Sequence, residues 1–129
     1  MNKKFDKVKV YLGNGQKQDT SFAIADTIKK FTTYFSNYKP DLLVLFGDRF
    51  EIFGVAIAAS ILDIKIAHIS GGDITEGAMD DVFRNSITQM SILHFPGNED
   101  SRKRIINMGK NSKNVLHYFS VHLLLQHCC

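Results

Sequence analysis

Pro40-Asp41-Leu42-Leu43-Val44-Leu45-Phe46-Gly47-Asp48-Arg49-Phe50-Glu51, an apolar segment from Ile52 to Leu62, and then Ile64-Lys65-Ile66-Ala67-His68-Ile69-Ser70-Gly71-Gly72-Asp73 decide the fold of this chain. Leu42 to Phe46 is a continuous apolar run, as expected of a strand buried on both faces. Ile52 to Leu62 is almost wholly apolar, long enough for a helix, and holds a single glycine. Ile64 to Ile69 is a second short apolar run. A strand–helix–strand unit of this length implies parallel strands joined by a right-handed crossover. The loops Gly47-Asp48-Arg49 and Ser70-Gly71-Gly72-Asp73 then leave the carboxyl ends of their strands. Open α/β sheets bind ligands at that edge. If the strands are neighbours, about 5 Å apart, Asp48 and Asp73 can line one crevice.

The flanking sequence extends the pattern. Val8, Val10 and Leu12 alternate with polar residues before Gly13-Asn14-Gly15, which predicts a short strand and turn. Asp19, Thr20 or Ser21 can cap a helix to about Asn37, with Ile24, Ile28, Phe31 and Phe35 at helical spacing. Pro40 ends it. Ile74 to Met79 reads as a loop around Gly77, and Asp80 and Asp81 open a helix to about Met90 with Val82 or Phe83, Ile87 and Met90 inward. Ile92 to Phe95 is a short strand. Asn98 caps a further helix that Gly109 closes, and Asn114 to Tyr118 is one more strand. This alternation predicts an α/β fold: a Rossmann-like, doubly wound parallel sheet with helices on both faces.

Bulk properties narrow the function. The 129 residues make one domain at most, with a net charge of +3. The basic clusters near Lys3, Arg102 and Lys110 lack the dense, aromatic-interleaved stripe of a nucleic-acid surface, so no nucleic-acid partner is expected. The longest apolar run is too short to span a membrane, and no apolar stretch follows the basic start as in a secretory signal. The two cysteines, Cys128 and Cys129, make no disulfide framework, and the remainder suits a reducing cytoplasm. His117, His122 and His127 precede them at steps of five residues. Such steps turn a helix by about 500° and alternate faces of a strand, so no zinc site and no metal are expected.

The polar residues each admit two readings. Asp48 can act as a base, bind sugar hydroxyls or cap the next helix. Arg49 can meet a phosphate or pair with Glu51. Gly71 and Gly72 permit close ligand approach or simply a turn. His68, inside a strand pattern, reads as a core histidine rather than a catalytic one. Asp73 can face the crevice or begin the loop. Asp80 and Arg84, four apart, share a helix face and can pair, while Asp81 points elsewhere; a surface ion pair is the plain alternative.

Gly47-Asp48-Arg49-Phe50-Glu51, His68-Ile69-Ser70-Gly71-Gly72-Asp73, Glu76-Gly77-Ala78-Met79-Asp80-Asp81-Val82-Phe83-Arg84 and Leu93-His94-Phe95, in this order and spacing, resemble the UDP-N-acetylglucosamine 2-epimerase family. The resemblance is closest to its hydrolysing branch, which supplies sugars for sialic and legionaminic acid synthesis. It is strong from about Pro40 to Gly109, weaker from Thr20 to Lys39, and absent after about Leu116. It implies the N-terminal domain of a two-domain fold like that of the B-type glycosyltransferases, with the active site between domains. The implied reaction removes the C2 proton as UDP leaves C1, then adds water to the glycal. It uses no redox cofactor and no metal. The resemblance assigns proton handling to Asp48 and Asp80, orientation of a carboxylate or substrate to Arg84, and nucleotide-sugar binding to Arg49, Gly72, Asp73 and Asp81. Asn85 stands where relatives often carry His, and Ser70 where non-hydrolysing members carry Glu. The implied partner is the nucleotide sugar; the full-length family suggests a homo-oligomer. Residues 1–116 are thus expected to form an incomplete N-terminal domain, and residues 117–129 an atypical tail from a frameshift or truncation, leaving an inactive fragment. The competing readings are a non-catalytic α/β module that binds a nucleotide sugar or a sister subunit, and another B-type glycosyltransferase relative.

Overall fold

A computed structural model describes residues 6–13, 15–75 and 79–116. In chain order the elements are α1 (Lys17–Asn37), β1 (Leu42–Phe46), α2 (Phe50–Ile61), β2 (Lys65–Ile69), α3 (Asp80–Met90), β3 (Leu93–Phe95), α4 (Glu99–Asn107) and a 3-10 turn (Ser112–Asn114). The strands are parallel in the order β1-β2-β3. Leu43 stands beside Ile66, and Leu45 beside His68, which stands beside His94. The α/β reading with a parallel sheet therefore holds, and so does the strand–helix–strand unit.

The core lies on the sheet face that carries Leu43, Leu45 and Ile66. Phe35 of α1, Val55, Ala56, Ala58 and Ala59 of α2, and Ile87 of α3 complete it. Helix α1 lies against α2 through small residues. A Cβ on Gly54 would come within 2.9 Å of Thr27 Cβ and 3.2 Å of the Ile24 carbonyl, so the glycine sets how closely these helices approach. The buried stripe of α1 is Ala23, Thr27 and Phe35, one residue round from the expected Ile24 and Ile28. The small pair wins because it fits against Gly54, and the Thr27 hydroxyl is satisfied by the Ala23 carbonyl at 2.8 Å.

Four expectations are corrected. Strand β1 is not buried on both faces: Leu42, Val44 and Phe46 are exposed. The central β2, with Ile66, Ala67 and His68 all buried, is the strand that fits that description. Residues 6–13 form no strand. Instead the Tyr11 amide donates to Asp26 of α1 at 2.8 Å. Helix α1 starts at Lys17 with Gln16 as N-cap, ahead of the expected Asp19, Thr20 or Ser21, and without a side-chain cap. The expected strand at 114–118 contracts to one parallel bridge between Val115 and His94, its last two residues lying outside those described. The Asn98 cap is present, its side chain accepting from the Ser101 amide at 2.8 Å. Gly109, at φ +92°, closes α4 as expected. Among the described residues, no helix is long and apolar enough to cross a membrane. Gly77 and the histidine- and cysteine-bearing tail lie outside the described residues.

Candidate active site

The parallel register places Phe46 beside Ile69, so the loops after β1 and β2 leave the sheet side by side. The Gly47 amide still donates to the Ile69 carbonyl at 3.2 Å, and the Ser70 amide to the Phe95 carbonyl at 3.0 Å. Gly47 at φ +88° and Ser70 at φ +66° then turn the chain out of the strands. A positive φ is costly for serine, which makes Ser70 a strained link between β2 and its loop.

Arg84 organises the loops. Its side chain is only 6% exposed. One guanidinium nitrogen donates to the Asp48 carboxylate and, at 3.0 Å, to the Thr75 hydroxyl. The other donates to the Asp81 carboxylate and, at 2.8 Å, to the Asp73 carbonyl. Asp81 in turn accepts from the Thr75 amide at 2.8 Å. A single buried cation from α3 thus ties the β1 loop to the β2 loop.

This geometry corrects the pairing expected on α3. Arg84 pairs with Asp81, three residues back, while Asp80 is exposed and outside that network. Both spacings are allowed on a helix. The choice falls to Asp81 because Thr75 presents a backbone donor to the same carboxylate. Asp80 lies near Arg49, whose pKa it helps to raise, though Glu51 does so more. Asp48 does not cap α2: the N-cap is Arg49, without a side-chain cap bond. Arg49 is exposed and pairs with Glu51 at 2.9 Å.

Asp73 splits its roles. Its carbonyl serves Arg84, and its carboxylate accepts from the buried Ser101 hydroxyl of α4. The Gly72 carbonyl accepts from Arg104 Nε. Arg84 and Arg104 therefore hold consecutive carbonyls of the β2 loop from two helices. Gly72, at φ +80°, has its close approach to α4: an added Cβ would sit 2.4 Å from the Ser101 carbonyl oxygen and 2.9 Å from Ile105. Between these helices a cavity of about 420 Å³ is bordered by Gly72, Asp73, Asp81, Asn85 and Arg104.

His68 is fully buried and fully bonded, as a core histidine should be. One ring nitrogen meets the Gly47 carbonyl at 2.9 Å and the other the Thr88 hydroxyl at 3.1 Å. Burial lowers its pKa, against the opposing pull of the Gly47 carbonyl and Asp48. Beside it, His94 is pushed down to about 4, by burial first and then by Lys110 and His68. Thr75, Ser101 and Arg104 carry no signal in the sequence that ties them to the site. Thr75 lies in the β2 loop, and Ser101 and Arg104 lie on α4; only folding joins them to Asp48 and Arg84.

Residues 1–121 match the family model described as UDP-N-acetylglucosamine 2-epimerase. The chain belongs to this family. A Campylobacter jejuni protein named GDP/UDP-N,N'-diacetylbacillosamine 2-epimerase (hydrolyzing) is 35% identical over 89% of this chain, which spans 30% of that protein. A Legionella pneumophila protein named UDP-N,N'-diacetylbacillosamine 2-epimerase (hydrolyzing) is 35% identical over 84% of this chain and 28% of its own length. The polysialic acid biosynthesis protein P7 of Escherichia coli is 42% identical over 73% of this chain and 24% of its own length. The chain therefore spans less than a third of the length of these relatives. The same part of the fold recurs in solved 2-epimerases. The Neisseria meningitidis enzyme bound to UDP-GlcNAc superposes with a TM-score of 0.74 at 23% identity, over 82% of this chain and 29% of that one. The Methanocaldococcus jannaschii enzyme in complex with UDP-GlcNAc and UDP gives 0.73 at 19% identity, over 76% of this chain and 28% of that one.

Proposed function

We propose that this chain contributes the acid/base wall of a hydrolysing UDP-sugar 2-epimerase site, acting on UDP-N-acetylglucosamine or its diacetamido analogue. The observation that carries the proposal is the Asp48 carboxylate, set at the carboxyl end of β1 and gripped by the buried Arg84. Asp48 is 23% exposed, so it stays open to a ligand while its position is fixed. In this reading Asp48 and Asp80 handle protons as UDP leaves C1 and water adds to the glycal. Arg84 orients Asp48 and Asp81 rather than meeting the sugar, since both its terminal guanidinium nitrogens already donate to protein acceptors. The exposed Arg49 exchanges Glu51 for a diphosphate oxygen. Asp81, Gly72 and Asp73 shape the loop against which the nucleotide sugar rests. The names of the Campylobacter and Legionella relatives support the hydrolysing branch. Sugar supply for sialic- or legionaminic-type acids, a cytoplasmic setting and a homo-oligomeric assembly belong to the same proposal.

Because the 129 residues span under a third of those relatives, the chain alone is expected to bind without turnover. Titration of the labelled chain with UDP-N-acetylglucosamine and with UDP-diacetylbacillosamine, followed by amide NMR and by UDP release, tests this. The expected result is shifts at Gly47–Arg49, Ser70–Thr75 and Asp80–Arg84, diminished in Asp48→Asn, with no UDP released. Shifts confined to other surfaces, or none at saturating sugar, would overturn the site assignment. UDP release lost in Asp48→Asn would overturn only the claim of binding without turnover.

A further inference from the structure

Beneath the two site loops lies a buried group that no step of the proposed reaction uses. We propose that His68 is a positioning residue that holds the Gly47-Asp48 turn through a fixed, neutral imidazole tautomer. This rests on the proposed role of Asp48, but its test does not need substrate.

The Gly47 carbonyl can only accept, so the ring nitrogen 2.9 Å from it, Nε2, carries the proton. Nδ1 is then the acceptor, and the Thr88 hydroxyl donates to it at 3.1 Å. The contact is anchored from both sides: Thr88 is a fully buried residue of α3, and His68 is a fully buried residue of the central strand. Gly71 closes the space above the ring. A Cβ there would stand 2.9 Å from His68 Nδ1 and 2.8 Å from the Thr88 hydroxyl oxygen, so the first glycine of the β2 loop leaves room for this pair. The residue so held is the pivot of the site: Gly47 turns at φ +88°, and the next residue is Asp48. A peptide pinned by its carbonyl cannot rotate, which limits where the Asp48 carboxylate can reach. Arg84 fixes that carboxylate from one end, and His68 fixes the backbone behind it from the other. Burial lowers the His68 pKa, which favours the neutral ring that these two contacts describe.

The test is NMR on the full chain with His68→Gln, His68→Leu and Thr88→Val. Glutamine can donate from its side-chain nitrogen to the Gly47 carbonyl; leucine cannot. Long-range imidazole spectra of the unaltered chain should show the Nε2-protonated form of His68 alone; Thr88→Val should keep that form, because the Gly47 carbonyl still requires a donor, and should speed exchange of the Gly47 and Asp48 amides as the ring loses its second anchor. In His68→Leu the Gly47 and Asp48 amides should exchange with solvent at least about tenfold faster, while β2 amides keep their protection. The slowed guanidinium protons of Arg84 should also be lost. His68→Gln should restore both signals. A mixed tautomer in the unaltered chain, or equal loop exchange in the leucine and glutamine variants, would overturn the proposal. Should His68→Leu fail to fold, Thr88→Val decides: loss of the Nε2-protonated form, or unchanged loop exchange, would also overturn it. None of these readouts depends on whether Asp48 moves a proton.

Discussion

Replacing Arg84 by methionine removes the cation and keeps most of the apolar stem. Arg84 is 6% exposed, and its two carboxylate partners, Asp48 and Asp81, are 23% and 27% exposed. Breaking a fully buried pair costs about 3–5 kcal/mol, whereas an exposed pair is worth under about 1 kcal/mol. The buried cation with half-open carboxylates lies between, near about 2–3 kcal/mol. Two further bonds go, to the Asp73 carbonyl and the Thr75 hydroxyl. Water replaces part of them, so about 3 kcal/mol in all is expected. With a urea dependence of about 2 kcal/mol per molar for a chain this size, the midpoint should fall by about 1.5 M. Urea unfolding at pH 7 measures it, combined with Asp48→Asn, Asp81→Asn and Asp80→Asn in double-mutant cycles. Coupling to Arg84 should exceed about 1 kcal/mol for Asp48 and Asp81 and be near zero for Asp80. A loss under about 1 kcal/mol in Arg84→Met would refute the picture of one cation clamping two loops. Stronger coupling to Asp80 than to Asp81 would do the same.

Two further outcomes are expected. His94 titrates at about 4 when folded, against about 6.5 in an unfolded chain. Between these values the unfolded state binds the proton and the folded state does not, so stability is full above about pH 6.5 and falls as pH drops towards 4. At about 1.4 kcal/mol per pH unit the loss approaches about 3 kcal/mol. His94→Leu should flatten that part of the urea-derived pH profile, and an equally steep profile in the variant would count against it. Gly72→Ala and Gly47→Ala form a matched contrast. Both glycines have positive φ, at +80° and +88°, but a Cβ at Gly47 meets nothing within 4 Å, whereas one at Gly72 strikes the Ser101 carbonyl oxygen at 2.4 Å. Gly47→Ala should therefore cost about 1–2 kcal/mol, the left-handed penalty alone. Gly72→Ala should cost at least about 1 kcal/mol more, and equal costs by urea unfolding would refute the close approach to α4.

From α1 to α4 the order of elements follows from the sequence because each signal is local. The apolar run at Leu42–Phe46, the turn glycines after it and the Asn98 cap are all read within a few residues. So are the places of Asp48 and Asp73 in the loops after β1 and β2, since a strand's carboxyl end is set by where its apolar run stops, and of Arg84 within α3. Which of these groups touch is a different matter. Asp80 and Asp81 stand at equally favourable helical spacings from Arg84, and the decision rests with the Thr75 amide, which arrives from another element. Asp73 turns its carboxylate to Ser101 of α4, twenty-eight residues away. His68 reads from sequence as a core residue, and only the parallel register brings it under Gly47 and beside Thr88. The apolar run of β1 likewise gives a strand but not its surroundings: burial depends on what lies across each face, and Leu42, Val44 and Phe46 are open in the described residues. Sequence spacing fixes directions along one element, whereas contacts between elements depend on register and packing that no local pattern encodes.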